Sequence, residues 1–248
     1  MPSHALYDDI GQGYNRFRQP DPRIRAMIQE PVRGRCLNVG AGAGSYEPDG
    51  AIACELSYTM IAQRPRNAAP VVQASATRLP FSDNAFDTSV ALLTLHHWDD
   101  LTTGVNEMNR VSRDRVVVFT FDNAVHGFWL TDEYFPAISA NDRAALHYET
   151  LVQLLSPCTI ITVPIPYDCK DGFLAAYWQR PHAYLDPEVR NAISAFHKLT
   201  DDEIKDGLSR LENDLKSGAW QERHGSLMRE HTQDYGYRLL IATQEYEL

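Results

Sequence analysis

The chain is short of basic charge, of cysteine and of long apolar runs. Its 33 acidic residues outweigh 23 lysines and arginines, giving a net charge of −10 over 248 residues. A phosphate backbone needs a basic face to neutralise it, and no cluster of lysines and arginines stands out, so nucleic acid is not expected as a substrate. The four cysteines, Cys36, Cys54, Cys158 and Cys169, share no C-x-x-C spacing. That argues against zinc and disulfides and for reduced thiols, two of them in buried strands; no metal is expected. No segment approaches the length of a membrane span, and no N-terminal apolar run resembles a signal peptide. A cytoplasmic protein without a membrane partner is expected.

What is present is a hydrophobic content of 44%, enough for a substantial core. The length suits one domain with an insertion. The most informative stretch runs from Cys36 to Tyr46. An apolar run, Cys36 to Val39, stops at three glycines in alternate positions, Gly40, Gly42 and Gly44. This reads as a buried strand opening into a loop whose bare backbone a ligand can approach. A dinucleotide fingerprint would place its third glycine at position 45, where Ser45 stands instead. A second apolar run ends in Glu55, a carboxylate suited to accept both hydroxyls of a ribose at a strand tip. Ser57 caps the following helix, and Met60 is placed to lie against an adenine.

Further motifs follow in order. Residues 71–87 read VVQASATRLPFSDNAFD, and residues 89–98 read SVALLTLHHW. Together with the Gly-x-Gly-x-Gly loop, these resemble the motifs of the class I S-adenosylmethionine-dependent methyltransferases, including a "D-A-x-x-L-P-F-x-D-x-x-F-D" signature and an "L-H-H" turn. The resemblance is good over residues 5–122 and weak beyond. It implies S-adenosyl-L-methionine as cofactor, with Asn38, Gly40, Ala41, Gly42, Glu55, Leu56, Met60, Ser75, Ala76, Leu92 and His97 around it. The string Tyr7-x-x-x-Gly11-x-x-Tyr14-x-x-x-Arg18 resembles the family's lid helix. By that likeness Tyr14 and Arg18 close over the methionine end, with Arg18 as partner for its carboxylate; a plain packing stripe is the other reading. Two departures stand out. Asn38 replaces an acid two residues before the first glycine, and Ser75 replaces the acid expected near the adenine amino group.

The alternation of strands and helices argues an α/β fold. The resemblance implies a doubly wound, Rossmann-like, seven-stranded and mostly parallel sheet whose last strand is antiparallel. Asp21-Pro22 starts a helix to Gln29. Strands are expected at 36–39, 115–121, 159–163 and 237–243, with residues 89–98 as the fourth strand and its following turn, and a helix near 142–155. Residues 166–233 do not fit a simple closing hairpin. There, Asp186-Pro187 starts a helix carrying Val189, Ile193 and Phe196. The Thr200-x-x-Glu203 capping box starts another, ended by Gly218. The chain therefore divides into a lid helix (1–20), a core (21–165 and 234–248) and a helical cap inserted at 166–233.

Methyl transfer from a sulfonium needs positioning and exclusion of water more than a catalytic triad. Where the acceptor carries an acidic proton, a base near neutrality helps. His96 and His97 stand where the fourth strand opens, as candidate bases or as structural histidines. A second cluster, Asp168 to Phe173 with Trp178, Arg180, His182 and Tyr184, has two readings. It holds a polar acceptor, with Arg180 as anchor and Asp171 or His182 as base, or it docks the cap through salt bridges. Trp129, in an aromatic loop, is a candidate pocket wall. The expected activity is methylation of a small molecule at O, N or C. Two rivals are a methyltransferase-like protein that binds cofactor or a partner without turnover, and, less favoured, a nicotinamide-dependent oxidoreductase.

Overall fold

The computed structural model describes residues 17–244; most of the expected lid helix, with Tyr14, lies outside them. Helix α1 (Pro22–Gln29) starts where Asp21 accepts the Arg23 amide and Pro22 takes the first turn. The sheet then alternates with helices: β1 (Cys36–Val39), β2 (Ile52–Glu55), α2 (Tyr58–Ala62), β3 (Val71–Gln73), β4 (Phe86–Leu92), α3 (Leu101–Val111) and β5 (Ser112–Phe121). After β5 come α4 (Pro136–Ala145), α5 (Tyr148–Leu154) and β6 (Cys158–Thr162). The seven-stranded sheet has the order β3-β2-β1-β4-β5-β9-β6, closed by β9 (Tyr237–Thr243). β9 runs antiparallel to both its neighbours, whereas β1 to β5 pair in parallel. Strand β1 is buried at all four residues because strands flank it and helices cover both faces.

Residues 165–166 (β7) and 232–233 (β8) pair as a short antiparallel ribbon. Between them the chain contains only helices and turns, including α6 (Pro187–Asn191), α7 (Asp201–Ser217) and α8 (Ala219–His224). Helix α7 begins with the Thr200–Glu203 capping box formed in both directions and ends at Gly218 in the left-handed conformation.

The fourth strand and its turn keep to expectation, and two helices do not. Strand β4 ends at Leu92, where Leu93 adopts a φ of 53°, and Leu95–His97 form a tight 3-10 turn, the strand followed by a turn expected over 89–98. That turn carries both histidines to the carboxyl edge of the sheet. The helix expected near 142–155 is two helices broken at His147, where Leu146 leaves the helical region. The helix starting at Pro187 stops at Asn191, and Ile193 and Phe196 belong to a separate extended residue and turn. Among the described residues, no helix is long and apolar enough to cross a membrane.

Candidate functional site

Beyond the carboxyl ends of β1, β2 and β4 lies a crevice of about 550 Å³, with the glycine loop along one side. The chain leaves β1 with φ of 67° at Gly40, 52° at Gly42 and 97° at Gly44. A Cβ on Gly40 would sit 2.4 Å from Thr94 Oγ1, so this turn requires glycine on two counts. The amides of Gly40 and Ala41 donate to the Cys54 carbonyl at 2.9 and 3.0 Å, folding the loop over the tip of β2. There Glu55 accepts the Gly42 amide at 2.7 Å on one oxygen and the Ser57 amide at 2.8 Å on the other. Each carboxylate oxygen keeps a further lone pair for a ligand hydroxyl.

The loop is also held from below. Arg64 donates to the Gly42 carbonyl at 3.1 Å and to both oxygens of Glu47 at 2.6 and 2.8 Å. Only 4% of the Arg64 side chain and 9% of the Glu47 side chain is exposed, so the pair is a buried one. Glu47 also receives the Ala69 amide and the Asn38 side-chain amide. Asn38 therefore braces the brace. It does not line the crevice, unlike Arg18, Gly40, Ala41, Gly42, Glu55, Leu56, Met60, Ser75, Ala76, Leu92, His96 and His97. The Ser75 hydroxyl shares a 2.8 Å hydrogen bond with Thr77 and accepts the Thr77 amide.

A second, smaller chamber of about 120 Å³ adjoins the crevice and shares Arg18, Leu93 and His96 with it. Its walls are the rings of Phe121, Phe128, Phe173, Tyr235 and Tyr237, with Asp122, Asn123 and Asp142 among its polar groups. At the junction, Arg18 donates to the two oxygens of Asp171 at 2.8 and 3.4 Å. Asp171, fully buried, is fixed by the Gly172 amide, so its role in the geometry is to hold Arg18.

Burial shifts the titratable groups here in opposite directions. His96 and His97, with ring centroids 3.8 Å apart, are disfavoured as cations by burial and by the charges of Lys198 and Arg18. His97 falls to about 3 and His96 well below its usual range, so both imidazoles are neutral near pH 7. Burial instead pushes the Asp142 carboxyl up to about 6, against the pull of Lys198. Sequence reasoning did not find Asp142, Lys198, Tyr235 or the Glu47–Arg64 pair. None belongs to a motif, and only tertiary folding brings them to the site.

The remaining candidates stand outside both cavities. Trp129 is buried, its indole N–H donating to the Trp178 carbonyl at 3.0 Å, with Trp220 and Tyr184 packed edge-on. Trp178 donates to the carbonyls of Ile165 and Pro166, and the Tyr184 hydroxyl donates to Leu174 at 2.6 Å. These are polar tips satisfied inside the core of the cap. Arg180 donates to the Cys169 and Ala176 carbonyls and stacks on Tyr177; Asp168 pairs with Arg23 near the surface. His182 is exposed. Within the cluster these contacts are internal, while Asp168 and Arg180 also line a third cavity with Phe17, Lys170 and Tyr177.

A side-chain-free loop of positive-φ glycines, a carboxylate at the next strand tip and a partnerless buried hydroxyl, that of Ser45, together fit an adenosyl amino acid. Comparisons with known proteins agree. Residues 37–120 match the model of a methyltransferase domain. A solved structure from Anabaena variabilis, described as a methyltransferase from an antibiotic biosynthesis pathway, is 30% identical and superposes with a TM-score of 0.85. The match covers 92% of this chain and 99% of that one. Demethylmenaquinone methyltransferases from Beutenbergia cavernae and Mycolicibacterium gilvum are 32% and 35% identical over 48% and 49% of this chain. The chain spans only 58% and 56% of the length of those two relatives. A phosphoethanolamine N-methyltransferase from Haemonchus contortus, solved with S-adenosyl-L-methionine, shares the fold at 13% identity and a TM-score of 0.52. That match covers 91% of this chain and 53% of that one. The chain belongs to the class I S-adenosylmethionine-dependent methyltransferases.

Proposed function

We propose that this protein transfers a methyl group from S-adenosylmethionine to a small-molecule acceptor seated in the chamber beside the crevice. The observation that carries this reading is the chamber itself. It meets the crevice at Arg18, Leu93 and His96, is walled by aromatic rings and is far too small for a macromolecule. The names of the curated relatives support a small acceptor, since they specify a quinone-type compound. When bound, S-adenosylmethionine supplies an electrophilic methyl group on a sulfonium centre. The chain's own residues supply the rest. Glu55 offers acceptor oxygens to the ribose hydroxyls, and the loop amides and Ser45 line the approach. Arg18, oriented by Asp171, is the partner for a carboxylate. Phe121, Phe128 and Phe173 exclude water from the acceptor, and the segment 173–175 brings the cap to that wall.

A second reading, a binder without turnover, draws on Asn38 and Ser75, which carry no charge where the family pattern has acids. One experiment separates the two. Titration calorimetry with S-adenosylmethionine, S-adenosylhomocysteine and nicotinamide dinucleotides should show binding of the first two only. Labelled methyl should then pass to a small-molecule fraction of a metabolite extract. Binding without any transfer would favour the second reading, and preference for a nicotinamide dinucleotide would overturn both.

A further inference from the structure

The acceptor chamber holds more information than its position. Its volume, about 120 Å³, is close to the ~150 Å³ cavity that holds a single benzene. Tyr235 packs on Phe128 and Tyr237 on Phe173, each at 4.7 Å between centroids with the rings tilted by 45° and 47°, so the walls are packed aromatic rings. Two buried polar atoms of its lining, the Tyr235 hydroxyl and His96 Nδ1, have no hydrogen-bond partner. A buried polar atom left unpaired is costly, and a ligand that satisfies it recovers that cost.

Resting on the methyltransferase reading, we propose that the chamber takes a single-ring phenol-type acceptor whose hydroxyl is received by the Asp142 carboxylate as general base. Tyr235 and His96 supply its further polar contacts. Asp142 lies on α4, where its carbonyl accepts the Leu146 amide and the Asn123 side-chain amide, so the backbone beneath the carboxylate is fixed. The charged and titratable groups around it are Lys198, Arg18, His96, Asp122 and Tyr237. Asp122 already holds the Ala124 amide at 3.0 Å. Both imidazoles hold a proton too weakly to serve as bases near neutrality, whereas Asp142, at about 6, is poised there. In the step, the acceptor proton passes to a carboxylate oxygen of Asp142. The freed oxygen lone pair forms the O–CH3 bond as the C–S bond breaks, its electron pair remaining on sulfur.

The test is binding of phenol, anisole and toluene to the full chain saturated with S-adenosylhomocysteine, for wild type and Asp142→Asn. Phenol should tighten about tenfold between roughly pH 5 and pH 8 in the wild type, following the deprotonated fraction of a group near 6. Anisole, which cannot donate, should bind about tenfold or more weakly than phenol. Asp142→Asn should lose about tenfold in phenol affinity and all of the pH dependence, with S-adenosylhomocysteine affinity unchanged. Phenol binding that ignores pH in the wild type, or anisole binding as well as phenol, overturns the proposal even if the variant fails to fold. Absence of S-adenosylhomocysteine binding would strike the methyltransferase reading first; phenol failing while that ligand binds strikes only this inference.

Discussion

The two cavities are built by different means. The crevice is organised around a glycine loop and drawn mostly from the stretch 40–99, with a few visitors such as Arg18 and Lys198. The chamber is walled largely by aromatic residues, assembled from Arg18 and five further segments around residues 93–96, 121–142, 173–175, 193–195 and 235–237. Backbone architecture dictates residue types, because a φ of 67° against Thr94 admits only glycine. A chamber of side chains needs only a shape and a few polar tips, which many sequences can supply. The difference explains why the family match runs over 37–120 and stops where the chamber's own segments begin.

This contrast can be broken most forcefully beneath the crevice. Glu47→Ala leaves the Arg64 guanidinium buried without its carboxylate, and should cost about 3–5 kcal/mol of stability. Urea denaturation measures it. A loss near zero would mean that the glycine loop stands without its brace. Next comes Glu55→Ala, which removes the acceptor for the Gly42 and Ser57 amides and for a ribose. Cofactor affinity should fall by about 1.5–3 kcal/mol in calorimetry. An unchanged dissociation constant would detach Glu55 from the ligand and leave it a purely internal tie.

Legibility in the sequence follows the same division. The helix at Pro22, the strands at Cys36–Val39 and Tyr237–Thr243 and the Thr200–Glu203 box were all readable, because caps, glycines and apolar runs are local signals. So was much of the crevice lining. The antiparallel direction of the last strand came only from the family resemblance. The Asp168–Tyr184 cluster was ambiguous for a physical reason: Arg, Trp and Tyr serve equally to hold a ligand or to satisfy carbonyls inside a cap. The backbone carbonyls that claim Arg180 and Trp178 carry no sequence signature. Nor could burial be read at Asp142, a helical aspartate whose surroundings come from other segments.

Acid titration sharpens the comparison, because the histidines and Asp142 oppose each other. His97 titrates near 3 in the folded state against 6.5 ordinarily, so the unfolded chain binds more protons in that window and stability falls as pH drops below about 6.5. Asp142 titrates near 6 against 3.8, so its contribution runs the other way, gaining as pH falls from about 6 to 4. Asp142→Asn should therefore steepen the acid-side loss, and His97→Gln should flatten it, each by at most about 1.4 kcal/mol per pH unit. Denaturation midpoints followed from neutrality to about pH 4 test this. Equal slopes in wild type and both variants would show that these groups are hydrated in the folded protein.

The smallest effect belongs to the cap. The Thr200 hydroxyl accepts the Glu203 amide, and the Glu203 carboxylate accepts the Thr200 amide at 2.8 Å, closing the first turn of α7. Further along that helix, Gly207 presses on Phe135 and Arg210 donates to the Tyr134 carbonyl, so α7 packs on the aromatic segment leading into α4 and Asp142. Thr200→Ala should cost about 1 kcal/mol, the usual worth of such a cap. Because no residue of α7 lines the crevice, S-adenosylhomocysteine should bind the variant as it binds the wild type. A weakened cofactor affinity would show that cap and crevice are mechanically coupled, and that the division drawn between a glycine-loop crevice and an aromatic chamber is too sharp.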